Sequence, residues 1–402
     1  MTRSLWRQRN FMLLWSGQLA SWLGTEVSGI AVPLIVLALT GSPGQAGAVA
    51  GIRGLVYVCW AIPAGVVIDR FDRKRVMFVA NLGSGLALAS IALALALDRL
   101  SIPLLLVASA IEGSFFVFAN LGRFAAFPKV VSKEQLPAAA AQFGTADNLA
   151  QLGGPPLGGF LYQAGGGFLA FALDAFSYGL NAFSILLIDA PLGTTESQAR
   201  TAVLREIGDA LGWLWRQSLL RFFTLITAGR TLIASGLYLL VVVVAREHGS
   251  SSLAVGLIFT FGALGGLGSS FVAARIHRHF TIGQLLRGTT LLSVVIFAGY
   301  AVAINNALLA AITALFYAVD TLYIVTVSSY SAGITPDTLR GRVVSLTRLT
   351  SLGAHSLGFF LTGLMLQYLG SARTIGVLSC LLLVLFLATA VNKNLARVEA
   401  ST

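Results

Sequence analysis

The chain has 402 residues, 56% hydrophobic and 11% charged, with a mean hydropathy of +0.83, which excludes an ordinary soluble domain. A net charge of +11 would suggest nucleic acid in a soluble protein, but the basic residues concentrate in alternate loops, as membrane topology requires, and argue against that partner. Runs such as residues 237–245 do not alternate apolar and polar side chains, which excludes barrel strands, so the expected fold is an all-α integral membrane protein.

Apolar windows predict six spans at roughly residues 11–38, 46–68, 76–97, 102–124, 138–163 and 168–190. Six more follow at roughly 219–245, 253–274, 284–303, 306–331, 342–369 and 372–391. The basic N-terminus precedes an apolar segment longer than a signal-peptide core and without a small-residue cleavage site, so it is expected to remain as the first span. Of the 27 Lys and Arg, 21 fall in loops on the N-terminal side. Arg99, Arg246 and Arg373 lie on the other side, and Arg53, Arg230 and Arg348 lie inside spans. Both termini are therefore expected to be cytoplasmic.

Ionisable side chains in hydrocarbon are costly and mark candidate sites. In the first span Glu26 lies among Thr25, Ser28 and Gly29, which admit water, and Pro33 can loosen the same helix. Arg53, in the second span, is a candidate partner for Glu26. Glu112 falls in the fourth span, Arg230 in the seventh and Asp320 in the tenth. A carboxylate whose surroundings alternate between dry and wet, or which gains and loses a cation, can load and release a proton. Glu26, Glu112, Asp147 and Asp320 are the proton-coupling candidates, with structural ion pairing as the other reading. Arg230 could attract an anionic part of a substrate. His355, in the eleventh span, is either a titrating group or a hydrogen-bonded packing residue. Trp22, Tyr57, Phe115, Phe116, Tyr178, Tyr238, Tyr317 and Tyr323 could line an apolar cavity for a drug-sized ligand, or pack between helices. Cys59 and Cys380 stand far apart in apolar runs and read as packing residues, not as a disulfide.

Between the second and third spans the run Gly65-Val66-Val67-Ile68-Asp69-Arg70-Phe71-Asp72-Arg73-Lys74-Arg75 forms a tight basic turn. Gly65 allows close helix approach, and the cations stay on the cytoplasmic side. Asp69 is expected to meet helix N-terminal amides or the cations Arg70, Arg73 and Arg123. The corresponding second-half loop, residues 274–279, lacks the aspartate, and His277 with His279 does not make a convincing metal site. In the fifth span Gly153-Gly154-Pro155-Pro156-Leu157-Gly158-Gly159 concentrates helix breakers and small residues, predicting a bend and close packing. Asp147 precedes it, facing a cavity or pairing with a basic loop residue. The polar stretch 191–217, with Thr194, Thr195, Glu196, Ser197, Gln198, Arg205, Glu206 and Asp209, reads as a partly helical cytoplasmic linker with Trp213 and Trp215 near the interface. Weak internal symmetry suggests two related halves. Leu5-Trp6-Arg7-Gln8 recurs as Leu214-Trp215-Arg216-Gln217, and Ser132-Lys133-Glu134-Gln135-Leu136 sits where Thr335-Pro336-Asp337-Thr338-Leu339 sits in the second half.

The basic turn resembles the loop between helices 2 and 3 of major facilitator superfamily transporters, G-x-x-x-D-R/K-x-G-R-R/K-R/K, with Asp72 in place of glycine. Gly154-Pro155-Pro156-Leu157-Gly158-Gly159 resembles the G-P-x-x-G-G element of exporting members, which is associated with proton-driven antiporters. With Leu14-Trp15-Ser16-Gly17-Gln18, Leu39-Thr40-Gly41-Ser42 and Thr335 to Arg342, nearly the whole chain is similar to the bacterial 12-helix antiporters that export macrolides, other drugs and siderophores. The resemblance implies two pseudo-symmetric six-helix bundles, residues 1–190 and 218–402, joined by the linker 191–217. It implies a cavity lined by helices 1, 4, 7 and 10, and hence by Glu26, Glu112, Arg230 and Asp320. Arg53, Tyr57, Phe116, Tyr238, Tyr323 and His355 complete the substrate-binding candidates. The gating candidates are Gly65, Asp69, Arg70, Arg73, Arg123, Gly341 and Arg342, with helix 11 starting after Gly341 near Asp69, and Gly154, Pro155, Gly158 and Gly159 in helix 5. The expected partners are a small-molecule substrate, protons and the lipid bilayer, with no nucleic acid and no cofactor beyond the proton gradient. A monomer in a bacterial cytoplasmic (inner) membrane is expected. Proton-coupled uptake and lysophospholipid transport are alternatives on the same fold. A membrane sensor or enzyme finds no support, since neither G-x-x-x-x-G-K-[ST] nor H-E-x-x-H occurs.

Overall fold

A computed structural model of the protein describes residues 4–193, 208 and 211–392. The linker residues Thr194 to Ser197, Gln198, Arg205, Glu206 and Asp209 lie outside the described residues. Among the described residues ten long helices carry the fold, and all ten, the eighth counted on to Val302, are long and apolar enough to cross a membrane. They are α1 (Arg9–Thr40), α2 (Pro43–Arg70), α3 (Arg73–Ala96), α4 (Ile102–Val130), α5 (Leu136–Leu186), α6 (Ser218–Glu247), α7 (Ser252–Ile276), α8 (Ile282–Ala298), α9 (Asn306–Ile334) and α10 (Asp337–Val391). No strand occurs among the described residues.

Local chemistry sets the helix starts. Ser42, Asp72, Ser101 and Asn305 each accept a hydrogen bond from a backbone amide in the first turn of α2, α3, α4 and α9. Thr281 and Gln284 close a capping box on α8. At 51 and 55 residues, α5 and α10 far exceed the length of one span. Each is broken by glycine: Gly165 and Gly166 (φ +64°) interrupt α5, and Gly370 (φ +76°) interrupts α10. A positive φ at 166 and 370 is cheap only without a β-carbon. Broken there, the ten helices give twelve segments near the predicted spans, with the largest difference at the end of α4, which runs to Val130 where residue 124 is expected. The backbone keeps helical φ and ψ through Pro155 and Pro156 and departs from helical geometry at Gly165 and Gly166.

The chain forms two compact units, residues 1–200 with 251–256, and residues 201–250 with 257–402. In the first, α1 and α3 both lie along α5, and α4 packs on α2 and α3. Phe11, Leu14, Met77, Ala126, Phe143 and Ile185 form one of its buried clusters. In the second, α10 lies against α6 and α8, and Phe223, Ile226, Leu286 and Tyr323 pack together. The repeated Leu-Trp-Arg-Gln occupies matching places. Gln8 and Gln217 each stand immediately before a helix, with similar extended backbone (φ −95°, ψ 106° and φ −83°, ψ 100°). Cys59 and Cys380 are unpaired, but both are exposed on helix surfaces and do not pack in the interior as expected.

Candidate functional site

In the first unit a polar stripe on the second part of α5 faces a stripe of small residues on α1. Asp174, Ser177, Tyr178, Asn181 and Ser184 recur at helical spacing, and all five are buried. Gly17 lies against Ser184 and Asn181, and Gly24 against Ser177 and Asp174. Small residues at this spacing let two membrane helices approach closely. Across this seam the Ser28 hydroxyl donates to Asp174 Oδ2.

Arg53 and Glu112 form an ion pair beside the seam, Nε to Oε2 at 2.9 Å. The Tyr178 hydroxyl donates to Glu112 Oε1 (2.7 Å) and accepts from Arg53 Nη2 (3.4 Å). The guanidinium stacks on Phe116 at 4.3 Å, and Thr25 Oγ1 lies 3.4 Å from the Tyr178 oxygen. Tyr57 packs against Phe116 and accepts a hydrogen bond from Asn120 (3.0 Å). The expected pairing of Arg53 with Glu26 is corrected: its partner is Glu112. The cause is Gly113, where α2 and α4 run so close that a β-carbon would lie 2.9 Å from Arg53 O, which sets the neighbouring Glu112 beside the guanidinium.

Glu26 stays outside that pair. It is half-buried, its side chain packs on Gly154, and among the described residues it has no hydrogen bond or ion pair. One turn along the same seam a β-carbon at Gly158 would lie 2.7 Å from Val27 O, so Gly154 and Gly158 make the close contact of α5 with α1. Gly159 faces Ser252 and Leu253. Asp147 is exposed on α5 and accepts from Gln151 (3.0 Å).

The second unit repeats the arrangement of a buried cation held by a carboxylate. Arg230 is only 3% exposed, and its Nη2 donates to Asp320 Oδ1 (2.8 Å) and Ser293 Oγ (3.0 Å). Its guanidinium lies 4.1 Å from the ring of Tyr323, whose oxygen is 3.1 Å from Thr227 Oγ1. The anion that Arg230 holds is therefore Asp320. Tyr238 stacks on Phe259 (4.2 Å), and both Tyr238 and His355 meet Phe359 edge-on. His277 bridges Ala273 O and Thr326 Oγ1 as a packing residue, and no metal-binding group of three or more ligands occurs among the described residues.

The basic turn differs from expectation. Only Phe71 and Asp72 separate α2 from α3, and Asp72 takes the cap by accepting from Arg75 N (3.1 Å). This explains how an aspartate serves where the resembled motif has glycine. Asp69 makes no ion pair with Arg70, Arg73 or Arg123 among the described residues. Arg73 donates instead to Ala125 O (3.3 Å). Arg123 lies within α4, as the predicted span 102–124 has it; it is buried, donates to Asn120 Oδ1 (3.1 Å) and stacks among Trp22, Phe124 and Phe143. A β-carbon at Gly65 would meet nothing within 4 Å, so no close helix approach occurs there among the described residues. Gly341 and Arg342 fall inside α10, which begins at Asp337 after Pro336 and not after Gly341. Proline lacks the N–H to continue α9 and tolerates the start of a new helix.

Sequence reasoning missed Asp174, and it read Tyr178 only as an aromatic. The signal was present as five polar side chains at helical spacing in an apolar run.

The family model for the Major Facilitator Superfamily matches residues 14–358. The chain belongs to the major facilitator superfamily. This transporter is 26% identical over 371 residues to the multidrug efflux pump Tap of Mycobacterium tuberculosis, covering 88% of this chain and 86% of Tap. It is 24% identical over 361 residues to the enterobactin exporter EntS of Salmonella typhimurium, covering 88% and 84%. Among solved structures, the bacterial homologue of the human lysosomal transporter Spinster matches with a TM-score of 0.78 at 14% identity over 97% of this chain and 98% of that one. The bacterial homologue of the iron transporter ferroportin matches with a TM-score of 0.73 at 18% identity over 97% and 100%. Both share the transporter fold.

Proposed function

We propose that the transporter exports amphipathic small molecules, of the drug or siderophore kind, in exchange for protons by alternating access. The observation that carries this reading is Glu26. It is a membrane-embedded carboxylate with no hydrogen bond or ion pair among the described residues, packed on Gly154 of the segment that resembles the exporters' element. A carboxylate in that position can exchange a proton without first breaking a fixed ion pair. The names of the relatives, a multidrug efflux pump and an enterobactin exporter, support the outward direction. Within the first unit Arg53 with Glu112, and within the second Arg230 with Asp320, supply paired charges that a proton or a charged ligand can separate; Tyr57 and Phe116 in the first unit, and Tyr238 and Tyr323 in the second, are the aromatic candidates for contact with a cargo. The proton gradient is the energy source, without a cofactor, and the protein works as a monomer in a bacterial inner membrane with both termini in the cytoplasm.

The test is retention of lipophilic cations, macrolides and siderophores in an efflux-deficient bacterium that makes this protein. Retention should fall, and an uncoupler should restore it. Glu26→Gln should raise retention towards that of the empty strain at an unchanged level of membrane protein. No change across the panel, with the protein in the membrane, would sink the export reading. Normal efflux by Glu26→Gln would move the proton to Asp320, Glu112 or Asp147.

A further inference from the structure

Asp174 is only 1% exposed and sits in the membrane-spanning second part of α5. No cation touches it among the described residues; the nearest hydrogen-bond donors are two neutral hydroxyls. Ser28 Oγ lies 2.5 Å from Oδ2, and Ser177 Oγ lies 3.3 Å from Oδ1. An ionised carboxylate in hydrocarbon with no counter-ion is among the most expensive groups a membrane protein can hold. A side chain kept there at that cost calls for a role.

Ser28 stands between two oxygens that can accept its proton. Its oxygen is also 3.2 Å from the carbonyl oxygen of Thr25. When Asp174 is ionised, the single Ser28 proton is given to Oδ2. When Asp174 carries a proton, the acid donates to Ser28 Oγ, and Ser28 turns its own proton to Thr25 O. No heavy atom moves and every donor keeps an acceptor. Gly24 makes the geometry possible, since a β-carbon there would lie 2.5 Å from Asp174 Oδ1.

Charged groups lie on three of the helices around the site, α1, α2 and α4. The ionisable residues are Arg9 and Glu26 on α1, Arg53, Asp69 and Arg70 on α2, Glu112, Arg123 and Lys129 on α4 and Asp147 on α5 itself, while α3 has no ionisable side chain over residues 76–97. Arg53 attracts the Asp174 charge and Glu112 opposes it. Tyr178, one turn along the same helix, bonds Glu112 and lies near Thr25, so the aspartate sits one layer behind the Arg53 pair.

We propose that Asp174 is a second proton-binding carboxyl of this transporter, loading and releasing its proton against Ser28 at the seam of α1 and α5. Proton transfer here is a plain acid–base step with water as the other partner. Loss of the Asp174 charge leaves Glu112 and Glu26 as the carboxylates that act on Arg53, and so links protonation at the seam to the ion pair. The inference rests on the proton-antiport reading, but it can fail separately from it.

The test uses the full-length transporter, purified into lipid vesicles, and infrared difference spectra between mildly alkaline and acidic buffer. A carboxyl that takes up a proton gains a C=O stretching band that the carboxylate lacks. Asp174→Asn should remove one component of that band. Ser28→Ala leaves the carboxyl in place and removes its partner, so it should shift the same component in frequency, a change that a merely structural aspartate would not show. This second variant keeps the test valid if Asp174→Asn folds poorly. An unchanged band in Asp174→Asn, or no shift in Ser28→Ala, would overturn the proposal. Wild-type transport insensitive to an uncoupler would remove the antiport reading while leaving the Asp174 band in place. Uncoupler-sensitive transport with an unchanged Asp174→Asn band would remove only this inference.

Discussion

Glu112→Ala is expected to destabilise the protein by about 3–5 kcal/mol, the loss typical when one member of a buried ion pair is deleted. The side chain of Glu112 is 6% exposed and that of Arg53 is 29% exposed, so the guanidinium would stay largely inside with only Tyr178 and the face of Phe116 for company. Stacking on an aromatic ring offers about 2 kcal/mol or more in a dry site, but it leaves the positive charge without a counter-ion. The loss therefore comes from the stranded cation, more than from the missing attraction. That distinction is testable. Removing both charges, as in Arg53→Met with Glu112→Leu, should recover most of the stability, because well-packed apolar residues can replace a buried pair at little cost. Thermal unfolding of the purified single and double variants measures this. A double variant as unstable as Glu112→Ala would show that the pair's shape, and not the stranded charge, sets the cost.

Asp320→Ala should have an effect of the same kind in the second unit, towards the lower end of about 3–5 kcal/mol because the aspartate side chain is 20% exposed. Arg230 is poorly placed to tolerate the change. Its Nε and Nη1 are already buried without a partner among the described residues, and only Ser293 and the ring of Tyr323 would remain. Asp320→Asn keeps an oxygen to accept from Nη2 but removes the charge, so it should unfold at a temperature between those of the wild type and Asp320→Ala. The two variants should separate in function as well: Asp320→Asn should lose gradient-driven export out of proportion to its loss of stability. Asp320→Ala with wild-type stability would mean that Arg230 is not held by this pair.

The spans and their breaks were legible in the sequence because they follow from two strong signals. Twenty or so apolar residues must cross as helix, and glycines such as Gly166 and Gly370 stand where the chain turns between segments. Partner choice was less legible. Arg53 meets Glu112 and not Glu26 because Gly113 brings α2 and α4 into contact, a fact about helix packing that no spacing along one helix reveals. Asp69 was expected to meet helix N-terminal amides or the cations Arg70, Arg73 and Arg123; it makes no ion pair with those cations among the described residues, and with only two residues between α2 and α3 the cap falls to Asp72. Asp174 was overlooked among apolar neighbours, although its polar stripe with Ser177, Tyr178, Asn181 and Ser184 was readable at helical spacing. The close packing expected of the glycine- and proline-rich segment is present as the contact of Gly154 and Gly158 with α1.

Proton-driven export is the central claim, and its most direct test is transport of a permanently charged lipophilic cation by the purified protein in vesicles with an imposed pH difference. A quaternary cation carries no titratable proton, so a pH gradient moves it only through the protein. An antiporter should concentrate the cation inside vesicles whose interior is acidic, and the accumulation should collapse when an uncoupler is added. Accumulation only when the outside is acidic, or accumulation indifferent to the gradient, would contradict the account.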